Sequence, residues 1–207
     1  MAPPRPILLC LFSLGLVTMP AAADSPSFPR VHRTFMPDSG PSAFAVELKA
    51  GLSLCYDPLR GGVNRIWTGG VDLSPTLRAK INEPAAIEGE VFYEETLHQP
   101  LRLGDPSRAA EARFRGYRYE GDAVVFDLTL HGHPVTESLR PLEDGTGVAR
   151  EFAFPSAGGA AFLRVEEQTA AEIVVEGGEE VEPGLWRFPE GARALVILKK
   201  SPTTEPR

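Results

Sequence analysis

Asp57, Arg60, Arg65, Trp67 and Asp72 lie close together in a 207-residue chain and offer two carboxylates, two guanidinium groups and one large aromatic face. That set suits a saccharide pocket, with Trp67 stacking on a sugar ring and the charged groups bonding its hydroxyls. Trp67 also ends an apolar run, which favours a core side chain whose indole N–H bonds a carbonyl. Trp186, between Leu185 and Arg187, has the same two readings. Arg113, Arg115, Tyr117 and Tyr119 occupy alternate positions, so an unbroken strand presents all four on one face. Such a face can bind an anionic or sugar polymer, but an outer sheet face with arginine stems covering tyrosine rings is the favoured reading.

His131 and His133 have spacing for a zinc or copper pair, with His98 or Glu137 as a further ligand. Gly132 interrupts that geometry and favours solvent-exposed turn histidines, so no metal and no other cofactor is expected. The adjacent acids Glu94-Glu95, Glu166-Glu167 and Glu179-Glu180 invite a glycosidase reading. Neighbouring strand residues point to opposite faces, however, so no such pair can flank one glycosidic bond. The sequence holds no G-x-S-x-G elbow, no G-x-G-x-x-G, no P-loop and no C-x-x-C-H haem site.

The elements that must position these residues are strands. The chain is 43% hydrophobic and 24% charged, with 20 Gly and 20 Pro, which predicts a folded domain with frequent turns and few long helices. Ala43-Leu48 and Leu52-Tyr56 read as a hairpin, and Val63-Trp67 as a strand that stops at Gly69-Gly70. The one helical turn predicted starts at Ser74, with Ser74 as cap, Pro75 in the first helical position and Leu77 and Ile81 on one face. From Arg113 onward period-two segments alternate with turn signals, through Ala123-His131, Val135-Leu142, Val148-Phe154, Phe162-Val165, Ile173-Val175 and Leu185-Phe188. Ala194-Leu198 is apolar on both faces and should be an interior strand. About ten strands predict an all-β, two-sheet antiparallel β-sandwich.

The first residues have a separate pattern. Arg5 precedes an apolar run from Ile7 to Val17 that is too short to span a bilayer, and Ala21-Ala22-Ala23 fits a small-residue cleavage site. This predicts a signal peptide at 1–23, an extended arm at 24–42, the sandwich domain at 43–200 and a polar tail at 201–207. The expected location is periplasmic or secreted, with no transmembrane segment in the mature chain. Cys10 leaves with the leader, and Cys55, in an apolar segment without a basic neighbour, reads as a small buried hydrophobe. A formal net charge of −7 argues against nucleic acid as a partner, because phosphate repulsion would go unopposed.

Arg33-Thr34-Phe35-Met36-Pro37, Leu54-Cys55-Tyr56-Asp57, Trp67-Thr68-Gly69-Gly70 and Phe114-Arg115-Gly116-Tyr117-Arg118 together mark a resemblance. Over residues 30 to 155 the chain resembles a β-rich domain of unassigned role from large exported planctomycete-type and verrucomicrobial proteins. That domain often stands upstream of c-type cytochrome or sugar-dehydrogenase-like domains. The resemblance implies an exported, non-catalytic binding or accessory module in a system that handles sugars or electrons, with a saccharide or an exported redox protein as partner. A carbohydrate-active enzyme and a structural envelope module are the alternatives.

Overall fold

The computed structural model describes residues 27–78, 83–108 and 110–202. The leader at 1–23, Ile81 and most of the polar tail lie outside the described residues. In chain order the elements are β1 (Arg30–Arg33), β2 (Phe44–Lys49), β3 (Leu52–Asp57), β4 (Gly62–Asp72), α1 (Ser74–Leu77), β5 (Ala86–Glu94), β6 (Leu101–Leu103), β7 (Ala112–Glu120) and β8 (Ala123–Leu130). They continue with β9 (His133–Pro141), β10 (Gly147–Ala153), β11 (Ala161–Arg164), β12 (Ala171–Glu176), β13 (Glu179–Glu182), β14 (Leu185–Phe188) and β15 (Arg193–Lys200).

The fold is all-β with antiparallel pairing, but in three sheets rather than two. β1 to β5 form one sheet in sequence order, β12-β15-β10-β9-β8-β7 a second, and β13-β14-β11-β6 a third. β15 is an interior strand, as its apolar character on both faces requires.

Period-two alternation builds the main core. Phe44, Val46 and Leu48 on β2 and Leu52, Leu54 and Tyr56 on β3 share one buried cluster with Val124 and Phe126 on β8 and Leu139 on β9. The same cluster takes in Val148 and Phe152 on β10 and Val196 and Leu198 on β15. The Tyr56 and Phe126 rings stack with centroids 3.6 Å apart. Burying each such large apolar side chain contributes about 1.5–3 kcal/mol, so this interface dominates the stability. The opposite face of the first sheet is also buried. Ala43, Ala45, Cys55 and Trp67 form a second cluster there with Met36 and Ala85 from the flanking connections. Burial, helped by the Asp57 charge, pushes the Cys55 thiol up to about 12, consistent with a small apolar filler.

Several local expectations are corrected. The segment expected as an extended arm lying on the domain contributes β1, which pairs with β2. β4 does not stop at Gly69-Gly70 but runs through them to Asp72, opposite β5. Gly69 and Gly89 face each other in that ladder. A Cβ at Gly69 would lie 1.8 Å from the Glu88 carbonyl oxygen, and one at Gly89 1.5 Å from that of Thr68. The glycines are the condition for close pairing, not a break. Ser74 is the first residue of α1 rather than its cap, which is Leu73, and Leu77 is exposed.

A charged pair sits inside this apolar frame. Glu137 shares its strand face with Val135 and Leu139, and Arg150 shares one with Val148 and Phe152, so period two sends both inward. The Arg150 Nε donates to Glu137 Oε1 at 2.8 Å, with both side chains essentially inaccessible. Burial opposes the Arg150 charge, but Glu137, Tyr93 and Glu95 outweigh it and hold the guanidinium above its ordinary value. Burial raises Glu95, although the Leu97 N–H, Arg150 and the Tyr93 hydroxyl act the other way. The Tyr93 hydroxyl donates to Glu95 Oε2 at 2.9 Å, and the Leu97 N–H donates to Oε1 at 2.9 Å. Burial and then Glu137 raise the Tyr56 phenol. At Gly62, φ is +134° and an added Cβ would sit 3.0 Å from Glu137 Oε2, so a side chain there would press on the pair.

Removing one member of a buried pair leaves the other charge uncompensated, whereas replacing both with apolar groups removes the desolvation cost as well. Arg150→Ala is therefore expected to lose about 3–5 kcal/mol in a urea titration. The double variant Glu137→Leu/Arg150→Met is expected to stay near or above the parent. Equal losses in the two variants would contradict this account of the pair.

Candidate functional site

The residues expected to line a pocket instead anchor the segments that form one. Asp57 is fully buried at the end of β3. Its Oδ2 accepts the Gly40 N–H at 2.6 Å and its Oδ1 the Leu59 N–H at 3.0 Å, which ties the connection between β1 and β2 to the sheet. Arg60 Nε lies 4.0 Å from the same carboxylate. The Arg65 guanidinium reaches Asp38 of that connection at 3.3 Å and Glu94 of β5 at 2.6 Å.

Trp67 is fully buried in the outer cluster, and its indole N–H donates to the Gly70 carbonyl at 2.8 Å. It is a core side chain, so the stacking role is corrected. Asp72 Oδ1 accepts the Ser74 N–H at 2.8 Å, and bonds from the Ser74 hydroxyl and N–H hold this carboxyl below its ordinary value. That contact fixes the start of α1. The Ala85 N–H then donates to the Phe35 carbonyl at 2.8 Å and joins the two covering segments.

Between them lies a cleft of about 670 Å³. Arg33, Thr34, Phe35 and Pro41 line it from one segment, and Thr76, Leu77 and Glu83 from the other. Phe35 is 38% exposed and Leu77 78%, so an aromatic ring and an apolar side chain are presented beside one cation and one carboxylate. The Thr34 hydroxyl oxygen is buried without a hydrogen-bond partner among the described residues. A buried hydroxyl left unpaired costs about 1–3 kcal/mol.

The face expected from Arg113 to Tyr119 is split by a β-bulge. Phe114 is paired with Leu128 and Gly116 with Asp127, which leaves Arg115 as the extra residue and reverses parity beyond it. Arg113 stays on the Thr129 side and binds Glu111 at 2.8 Å. Tyr117 and Tyr119 share the side of Phe126 and Val124, at the rim of the core. The Tyr117 ring packs against Phe44 with centroids 5.7 Å apart. Tyr119 borders a separate cleft of about 570 Å³ with residues 27–32 and Gly121.

His131 lies in the hairpin turn itself, with φ +50°, and His133 opens β9, so the two do not share one strand face. Neither is a solvent-exposed turn histidine: both are partly buried, and the two ring nitrogens of His131 are enclosed without partners among the described residues. Glu137 is committed to Arg150, so it is not available to them. Among the described residues no group of three His, Cys, Asp or Glu side chains is placed to hold an ion. Glu94 and Glu95 do diverge, with Glu94 at the surface on Arg65 and Glu95 inside.

Arg33, Thr34 and Phe35 were missed as liners because the Pro- and Ser-rich stretch around them lacks periodicity. The available signal was an aromatic two residues from an arginine in an otherwise polar connection. No family model, no curated protein and no solved structure matches the chain.

The core assignment of Trp67 has a direct consequence. Trp67→Ala is expected to cost about 3–5 kcal/mol in chemical denaturation, the range for emptying a buried aromatic site. A loss well under 1 kcal/mol would return Trp67 to the surface role.

Proposed function

We propose that the chain is an exported, non-catalytic binding module with a β-sandwich body that takes a saccharide in the cleft between Phe35 and Leu77. The observation that carries this reading is the meeting of three kinds of group in one concavity. Phe35 supplies a flat apolar face for the C–H side of a sugar ring, and Arg33 and Glu83 supply a donor and an acceptor for its hydroxyls. Mixed apolar and polar lining of this kind is how small-ligand sites gain both affinity and orientation. The same chemistry was expected around Trp67, and the cleft offers it one layer further out.

Export rests on the leader pattern at 1–23. A place beside sugar-dehydrogenase-like or cytochrome domains rests on the resemblance. A hydrolytic reading finds less support, because the inward carboxylates Glu95 and Glu137 are enclosed with Arg150 and line no part of this cleft.

Calorimetric titration against a panel of neutral and acidic oligosaccharides tests the reading. Binding is expected to weaken at least about tenfold, or ~1.4 kcal/mol, in Phe35→Ala and in Glu83→Gln. Their melting temperatures should stay close to the parent, since exposed substitutions change stability by about 0.5 kcal/mol or less. Saccharide binding that survives both substitutions, or no saccharide binding at all, would refute the proposal.

A further inference from the structure

Two free sheet edges carry opposite charge in matching order. β1 is the end strand of the first sheet and reads Arg30-Val31-His32-Arg33, while β13 is the end strand of the third and reads Glu179-Glu180-Val181-Glu182. Among the described residues each is hydrogen-bonded to a strand on one side alone. An end strand leaves a row of N–H and C=O groups unpaired, which another strand can take up.

We infer that β1 of one copy of this chain accepts β13 of a second copy as an added antiparallel strand, joining molecules head to tail. Antiparallel alignment of the two segments sets Arg30 opposite Glu182, Val31 opposite Val181, His32 opposite Glu180 and Arg33 opposite Glu179. Opposite charges directly across a ladder stabilise it, and like charges destabilise it, so neither β1 with β1 nor β13 with β13 is a competing arrangement. The chain as a whole is acidic, at −7, which makes a basic edge strand unusual in it and gives that strand an acidic counterpart on every other copy.

Glu47 does not cancel the basic edge. It lies 3.8 Å from Arg30 and 3.3 Å from His32, and Arg33, opposite Phe44, is not among its partners. Space is present on both sides of the joint. An open cleft of about 570 Å³ runs along residues 27–32, and one of about 340 Å³ borders Glu180, Val181, Glu182 and Pro183. β13 is bulged at Val181 against β14, which takes that residue out of the existing ladder and leaves its side chain 42% exposed. Each molecule uses one edge as acceptor and the other as donor, so the contact is heterologous and extends to rings or filaments.

Sedimentation velocity over a concentration series tests this, with far-UV circular dichroism to show that each variant is folded. The parent is expected to associate as concentration rises, and to return to monomer near ~1 M salt, where screening acts within about 3 Å. Arg30→Glu/Arg33→Glu carries two acidic edges and Glu179→Arg/Glu182→Arg two basic ones, so each alone should remain monomeric. Mixed in equal amounts they should associate again, because each then meets the opposite charge. Val181→Pro, which keeps every charge and removes a backbone N–H from the end strand, should weaken association at least tenfold. A parent that is monomeric throughout overturns the inference. So does association that persists in either charge-reversed variant, a mixture of folded variants that stays monomeric, or no effect of Val181→Pro.

Discussion

The first sheet is apolar on both faces, and the arrangement of the molecule follows from having to cover both. β2 and β3 send Phe44, Val46, Leu54 and Tyr56 to one side and Ala45 and Cys55 to the other, with Trp67 of β4 joining the second group. The inner face is satisfied by the second sheet, through contacts such as Tyr56 on Phe126. Among the described residues no sheet covers the outer face. Two irregular connections lie over it instead, and each needs polar anchors because a loop brings unpaired backbone groups with it. Asp57 supplies the anchor at Gly40, Arg65 at Asp38 and Asp72 at Ser74. The cleft is where the two coverings meet.

The ion pair of Glu137 and Arg150 belongs to the inner side of the same frame. Two apolar side chains would fill those positions at lower desolvation cost, so the pair is weak evidence for stability. What it does is fix relative position. The Arg150 guanidinium interacts with Glu137 and also feels Tyr93 and Glu95, which links β9 and β10 of the second sheet to β5 of the first and the residue after it. A slip of either strand by one residue would send a charge to the wrong face, so the pair penalises that register error.

Period two made most of the strands legible from Ala123 onward, and it also held the information that places Glu137 and Arg150 inside, since each alternates with apolar neighbours. Parity fails where the ladder gains a residue. At Arg115 one inserted residue separates Arg113 from Tyr117 and Tyr119, and nothing in Arg113-Tyr119 itself distinguishes a bulged strand from a regular one. Gly69 was misread for a different reason. Glycine signals turns on average, but here it permits a close approach to Gly89 that depends on the partner strand. The cleft itself was not legible: Phe35, Arg33 and Glu83 come together in it from segments that carry no periodic pattern. The polar residues around Trp67 turned out to be the supports, a distinction that depends on which face of β4 is covered.

The central claim is that polar anchors on the outer face, the buried Asp57 first among them, hold the segments that shape the cleft, independently of the main core. Native-state hydrogen exchange on Asp57→Asn measures this most directly, because one carboxylate oxygen that accepts an amide is replaced without a change of size. The account predicts faster exchange at Gly40, Ala43 and Ala85, with protection in β8, β10 and β15 unchanged, as expected for a local opening. Unaltered exchange at those three amides, or a uniform loss of protection through the second sheet, would contradict it.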